Sequence, residues 1–366
     1  MSRISRRSFI SHTAAASAIP LIGAMGNVFA AAPKKQLGFA LCGLGSLSTG
    51  QLAPALQNTK YAKLTGIVTG TPAKAVAWKA KYNIPDKNIY NYDNMHEMIN
   101  NPDIDVVYVV TPNALHARDT IAAAKAGKHV FCEKPMEVST EKCQQMIDAC
   151  KQHNRMLGIA YRCQFEAHHL ECMRIAREKQ FGNLKLINAG FGIKLGDDLS
   201  QYRLHKDLAG GGSLMDVGIY ALQSTMYLTG EEPLSATAVE IKTDPKKFSD
   251  VEETVSFQLK FPSGVLANCN ASYNVYDNAG FNVYCETGNF GLEHGFYYGG
   301  IRGFRSDNKP LQFEHVDHFQ KEMDDFAQCI MNNKPTIVPG EMGLRDVRIM
   351  SKIYEALRTG TSVRLA

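Results

Sequence analysis

The chain has 366 residues, more than one ordinary core holds and enough for two domains. Hydrophobic residues make up 45% and charged residues 21%, the balance of a soluble globular protein, with no low-complexity tract and no solenoid period. The formal charge of +4 falls to +1 beyond residue 30, because Arg3, Arg6 and Arg7 are the only charged residues before it; this balance excludes a broad electrostatic grip on nucleic acid or an anionic membrane.

The first thirty residues read as a targeting segment. Ser5-Arg6-Arg7-Ser8-Phe9-Ile10 is a twin-arginine pattern, followed by a small, apolar run over 13–29 and by cleavage candidates at Val28-Phe29-Ala30 and Ala30-Ala31-Ala32. Pro20 breaks the run, which is too short to span a bilayer. The expectation is export of a folded protein to the periplasm by the twin-arginine machinery, with no membrane attachment after cleavage. That route suits a protein that must trap a cofactor made in the cytoplasm.

From there strands and helices alternate. Residues 37–42 form a short apolar strand and 48–58 a helix. A second strand at 64–68 leads to a helix at 72–82, and the β-branched run 106–110 to an Ala-rich helix at 116–126. A fourth strand at 129–132 precedes a helix at 139–154 with Ser139 and Thr140 as cap candidates, and a fifth strand lies at 156–160. This rhythm predicts an α/β fold: an N-terminal Rossmann domain over 36–160 with a parallel, doubly wound sheet. Past Tyr161 the rhythm changes. A helix at 167–179 leads to alternating runs, including 254–261, a Pro262-Ser263-Gly264 turn and the returning strand 264–273. Helices at 317–332 and 344–359 follow. A C-terminal α+β domain over 161–366 with a large, mostly antiparallel open sheet is expected, for substrate binding and oligomerisation.

Gly43-Leu44-Gly45 lies between the first strand and first helix, where glycines let a backbone approach a pyrophosphate. The usual third glycine position holds Ser48, and Gly50 comes two residues late. At the end of the second strand, Thr69-Gly70-Thr71-Pro72-Ala73-Lys74 lacks the acid that holds a ribose 2′-hydroxyl in NAD enzymes. Thr69 and Thr71 can donate to a phosphate and Lys74 can neutralise it, which favours NADP over NAD. Thr111-Pro112-Asn113 and His116 follow the third strand at the ligand-binding rim, where Asn113 could equally cap the next helix. Glu133-Lys134-Pro135 follows the fourth strand at the same rim, so that Lys134 points toward a nicotinamide. Further on stand Gln201-Tyr202-Arg203 and the run from Gly210-Gly211-Gly212 to Asp216 and Tyr220, the last two sharing a helix face. Nine cysteines, odd in number and without zinc spacing, read as buried thiols, and no metal site is expected.

Together these motifs resemble the Gfo/Idh/MocA oxidoreductases, over residues 37–363, and within them the glucose–fructose oxidoreductase branch. The most specific sign is the Glu-Lys-Pro triplet with Asp-x-Gly-x-x about eighty residues later; most members end that motif in His, and this chain has Tyr220. The resemblance implies that Lys134 positions the reacting hydroxyl, Tyr220 is the general acid/base and Asp216 holds the sugar. It implies that Arg162, Tyr202 and Arg203 help close over the cofactor, that Thr69 and Lys74 read the NADP phosphate, that Lys134-Pro135 is a cis peptide, and that homo-dimers or tetramers form. A phenol with a pKa of roughly 10 needs help to act as a base, and the Lys134 ammonium and a positive nicotinamide ring are expected to favour the phenolate. The branch carries a long arm before the first strand, whereas only residues 31–36 stand here between the signal and the strand, which puts that means of cofactor retention in doubt. The expected activity is oxidation of an aldose at C1 to its lactone and reduction of a second sugar on one retained NADP. The alternatives are an NAD-dependent glycosidase of the same family, a simple periplasmic sugar dehydrogenase, or a non-catalytic sugar-binding module.

Overall fold

The computed structural model describes residues 34–365, so the targeting segment expected at 1–30 lies outside the described residues. From Lys35 onward the chain is a single unit built on two sheets.

The first sheet grows from β1 (Leu37–Cys42), six residues all buried, which takes the centre because only a wholly apolar run tolerates cover on both faces. A π-helical turn (Ser48–Leu52) and α1 (Ala53–Leu56) follow, then β2 (Ala62–Val68), α2 (Pro72–Tyr82) and the two-residue β3 (Ile89–Tyr90). The chain continues through β4 (Val106–Val109), α3 (His116–Lys125), β5 (His129–Glu133), α4 (Thr140–Gln152) and β6 (Leu157–Ala160). Ser139 caps α4, its side chain accepting from the Lys142 amide. The strand order is β3-β2-β1-β4-β5-β6, all parallel. The order reverses between β1 and β4, which opens a crevice beyond their carboxyl ends. Two details depart from the sequence reading. The helix expected over 48–58 opens as a π-turn and stops at Leu56, and β3 is an added edge strand too short to show a period.

The second sheet follows α5 (Ala167–Arg177) and comprises β7 (Leu184–Lys194), then, after α6 (Lys206–Ala209) and α7 (Ile219–Thr229), β8 (Ser235–Ile241), β9 (Thr254–Lys260), β10 (Leu266–Ser272), β11 (Asn274–Cys285), β12 (Asn289–Glu293) and β13 (Arg302–Arg305). Its order is β13-β12-β11-β7-β10-β9-β8-β14, with β14 (Val363–Arg364) at the far edge; every pairing is antiparallel except β7 with β10. In β9 buried and exposed residues alternate strictly, as one covered face requires.

The last two helices, α8 (His318–Met331) and α9 (Gly340–Thr359), return to the first sheet. Phe326 of α8 stacks on Phe131 of β5 at 4.7 Å, and both rings are fully buried, each worth about 1.5–3 kcal/mol of hydrophobic stabilisation. Asp324 accepts the backbone amides of Lys60 and Tyr61 at 2.9 and 2.6 Å, and Pro339 bridges to Gly158 of β6.

Candidate active site

The carboxyl ends of β1, β4 and β5 bring three loops to one rim, and the segments carrying Tyr202, Arg203, Asp216 and Tyr220 face them. Between them lies a cleft of about 340 Å³. Its walls include Gly45, Thr111, Asn113, His116, Glu133, Lys134, Arg162, Tyr202, Arg203, Asp216 and Tyr220. The sequence separates these residues by up to 175 positions, and the topological reversal between β1 and β4 joins them.

The glycine loop is built for a close approach. Gly43 has φ +100°, and a Cβ there would stand 2.7 Å from the Val110 carbonyl oxygen. A Cβ on Gly45 would meet nothing within 4 Å, so its backbone faces open space. Ser48, where a third glycine is usual, is fully buried, and its hydroxyl donates to the Gly43 carbonyl at 2.5 Å, closing the loop from inside. Lys74, in the first turn of α2, donates from Nζ to the Leu44 carbonyl at 3.0 Å. That bond ties the end of β2 to the glycine loop, at the place where a ribose phosphate lies in this fold. Thr69 is buried, and its hydroxyl accepts the Thr71 amide at 3.2 Å. Neither Thr69 nor Lys74 lines the cleft itself. Open backbone at Gly45, a lysine at the β2 end and no acid beside it fit a dinucleotide with a 2′-phosphate.

At the other end, Lys134 Nζ donates to the Asp216 backbone carbonyl at 2.8 Å and to its carboxylate at 3.3 Å. Arg203 Nε donates to the second carboxylate oxygen at 2.7 Å, and the Tyr273 hydroxyl reaches the same oxygen at 3.1 Å. Burial alone would raise the Asp216 carboxyl, but Arg203 and Lys134 outweigh it and hold it well below the usual carboxylate range. Asp216 is therefore ionised, and it holds Lys134 and Arg203 while it lines the cleft in which the sequence reading had it hold a sugar. Lys134-Pro135 is cis, as expected.

Tyr220 lies beneath two cations. Lys134 Nζ stands 4.8 Å and the Arg162 guanidinium 4.7 Å from the centre of its ring. Arg162 Nε donates to the phenol oxygen at 3.1 Å, and its other nitrogens donate to the carbonyls of Phe296 and Tyr297. The share of the phenolate expectation that fell to Lys134 is corrected here. Burial raises the Tyr220 phenol, Arg162 only partly offsets it, and Lys134 covers the ring face rather than the oxygen. Without a ligand the phenol keeps its proton near neutral pH. Asp216 also sits in a π-helical turn (Leu214–Gly218) that runs into α7, rather than in the regular helix expected, yet it and Tyr220 reach the same cleft. The triple glycine does start this helix against another backbone: a Cβ on Gly212 would stand 2.2 Å from the Glu252 carbonyl oxygen.

Three other predicted residues of the cleft wall also hold its frame. Thr111 donates to Asp119 at 2.8 Å. His116 is buried with Nε2 at 2.8 Å from the Thr111 carbonyl and Nδ1 at 3.0 Å from that of Pro135, joining two rim loops. Asn113 does not cap its helix; its amide donates to the Ala209 carbonyl across the cleft at 2.8 Å. Seven of the nine cysteines are buried, whereas Cys285 and Cys329 are partly exposed. Among the described residues no group of metal-ligating side chains occurs, and no helix is long and apolar enough to cross a membrane.

The model of an oxidoreductase family with an NAD-binding Rossmann fold, GFO_IDH_MocA, matches residues 37–161, and that of the GFO/IDH/MocA C-terminal domain matches 169–291. The chain belongs to the GFO/IDH/MocA oxidoreductase family. A D-xylose 1-dehydrogenase (NADP(+)) of Haloarcula marismortui is 31% identical over 89% of this chain and 92% of its own length. A D-xylose 1-dehydrogenase (NADP(+)) of Haloferax volcanii is 25% identical over 89% and 99%. The crystal structure of aldose-aldose oxidoreductase from Caulobacter crescentus, complexed with glycerol, superposes with a TM-score of 0.86 at 38% identity, over 90% of this chain and 99% of that one.

Sequence reasoning missed several cleft residues of this GFO/IDH/MocA chain. Ser46, Leu47 and Gln51 extend the glycine loop, Val110 opens the loop after β4, and Phe319 comes from α8. Tyr298, from the glycine-flanked loop after β12, also lines the cleft, with Arg162 4.8 Å over its ring. Burial pushes its phenol up to about 12. No periodic or motif signal marks Tyr298; the flanking glycines show only a turn.

Proposed function

We propose that this oxidoreductase uses NADP, oxidises an aldose at C1 and reduces a second sugar on the same retained cofactor, after export by the twin-arginine route. The observation that carries the reading is the meeting of Lys134 and Tyr220, 86 residues apart in sequence and one 4.8 Å contact apart in space, on the rim that follows the glycine loop. The relatives support the substrate class: two are named as NADP-dependent xylose dehydrogenases and one as an aldose–aldose oxidoreductase. The Arg6-Arg7 pattern supports export, since a closed hydride cycle suits a compartment poor in free NADP.

The bound nicotinamide would supply the hydride acceptor and donor. Gly43 to Gly45 would hold the pyrophosphate against open backbone, with Lys74 on the 2′-phosphate. Asp216 keeps Lys134 fixed, which leaves one ammonium hydrogen for the reacting oxygen in the cleft. A cation there stabilises the alkoxide from which the hydride leaves. Tyr220, protonated at rest, would give its proton to that oxygen in the reducing half and, once ionised, take one back in the oxidising half, and Arg162 lowers the cost of its ionised form. Tyr298 and Phe319 offer ring faces to the sugar.

The protein purified from its native host would carry bound NADP. An aldose alone should raise the absorbance of reduced nicotinamide, and a second sugar should bleach it. A preparation with no nucleotide and no response to any aldose sinks the reading. The xylose dehydrogenase relatives favour one rival, a simple dehydrogenase; it predicts that NADP dissociates on dialysis and that no second sugar is needed.

A further inference from the structure

A second cation stands near the end of β2, and the function proposed above does not use it. Arg118 lies in the first turn of α3, past the carboxyl end of β4. Its guanidinium sits 4.8 Å over the centre of the Tyr92 ring. Tyr92 is partly buried, lies just past β3 and touches the turn at the end of β2: a Cβ on Gly70 would stand 3.2 Å from Tyr92 Cε2. Arg118 is also held by Asp119, with Nε donating to Oδ1 at 2.8 Å and Nη2 to Oδ2 at 3.2 Å. Asp119 is 1% exposed and accepts the hydroxyl of Thr111, a residue of the cleft wall, at 2.8 Å. The contacts from Thr111 through Asp119, Arg118 and Tyr92 to Gly70 therefore cross the rim from the end of β4 to the end of β2, past β1, the strand between them.

What this shelf leaves free decides what it can hold. A guanidinium has a donor edge and two flat faces. Asp119 takes the Nε–Nη2 side of the edge, and Tyr92 covers one face. The buried carboxylate also balances the charge, so Arg118 offers less to an anion than Lys74, whose amine bonds to a neutral carbonyl. Half of the Arg118 side chain stays exposed although two hydrogen bonds and a ring fix it, and that exposure falls to the second face and the Nη1 end. A planar, weakly hydrated cation pinned on an aromatic ring stacks on a second flat ring at little entropic cost. In a doubly wound sheet a dinucleotide places one ribose at the end of β2. The base carried by that ribose then reaches the shelf.

We propose that Arg118 is the platform on which the adenine ring of the cofactor stacks, so that Arg118 selects for the base and Lys74 for the phosphate. This rests on the NADP reading of the crevice. Asp119 and Tyr92 are positioning residues: one fixes the edge of the guanidinium, the other its plane. Base and phosphate are thus read by different side chains on different helices, α3 and α2, and the two readings can be lost separately.

Calorimetric titration of the full-length protein, freed of nucleotide, tests this. The probes are 5′-AMP, which has the base without a 2′-phosphate, 2′,5′-ADP, which has both, and nicotinamide mononucleotide, which has neither. Arg118→Lys keeps a cation beside Asp119 but loses the flat face. It should weaken 5′-AMP and 2′,5′-ADP alike, each about tenfold, and leave nicotinamide mononucleotide within about twofold, which also shows that the fold is intact. Lys74→Ala should weaken 2′,5′-ADP and leave 5′-AMP unchanged. The platform is overturned if Arg118→Lys binds 5′-AMP as well as the wild type does, or if it loses affinity for 2′,5′-ADP alone, which would make Arg118 a reader of the phosphate. A wild-type protein that binds none of the three probes sinks the cofactor reading itself, and the platform with it.

Discussion

The two ends of the cleft are made in opposite ways. The end that fits the phosphates is local: a six-residue strand, a glycine loop, and one lysine reaching across from the first turn of α2. The reacting end is assembled from distant segments: Lys134, Arg162, Arg203, Asp216 and Tyr220 hydrogen-bond or stack on one another in a largely buried network. Charges in a desolvated network act as a unit, because each was placed to compensate the others. A lysine half in solvent acts alone and is screened. One end therefore tolerates change by increments, and the other does not.

The largest expected effect is at the reacting end. Lys134→Met should lower kcat by roughly 10³-fold with the folded state intact, read by steady-state kinetics with an aldose. A loss below tenfold would break the comparison, since it would mean that the network survives without its centre. The second test moves to the far end of the same strand. His129 begins β5, and its Nδ1 accepts the Met156 amide at 2.9 Å, which requires a neutral ring. Burial, helped by Arg155, lowers its pKa to about 4. The unfolded chain binds this proton first, so stability is full above about pH 6.5 and falls as pH drops toward 4, by roughly 2–3 kcal/mol. Urea unfolding across that window should show the loss, and His129→Gln should flatten it. Asp216, held far lower, stays ionised throughout the window, so lost stability and lost site charge should separate.

A smaller effect sharpens the contrast. Arg203→Leu leaves Asp216 with Lys134 and Tyr273, and kcat should fall about 10- to 100-fold with little change in the KM for NADP. The smallest is Lys74→Ala, which should raise the KM for NADP about tenfold, leave kcat unchanged and narrow the preference over NAD. An effect of Lys74→Ala on kcat equal to that of Lys134→Met would erase the distinction between the two ends.

The same contrast explains what the sequence disclosed. Strands of the first sheet were legible because burial on both faces demands continuous apolar runs, and the glycine loop because only certain residues make its turn. Lys134 and Tyr220 were legible as a resemblance, through the Glu-Lys-Pro and Asp-x-Gly-x-x patterns. Their electrostatic state was not, because it depends on which cation faces the phenol oxygen; Arg162, not Lys134, does so. Ser48 looked like a missing glycine until its hydroxyl was seen to close the loop. Tyr298 was silent, because it sits in an irregular loop. Nor did a linear reading show that α8 and α9 cover a sheet made some two hundred residues earlier.

That return has a consequence for how the protein is made. Domains usually fold as they leave the ribosome, the first before the second. Here Asp324 caps the backbone at Lys60 and Tyr61, Gln320 holds the Asn58 carbonyl, and Phe326 fills the space over Phe131. The nucleotide lobe therefore waits, partly uncovered, through the synthesis of the entire second sheet. Its closure is among the last events of biogenesis, and a ribosome stalled before residue 318 would hold a lobe that has its strands but not its lid.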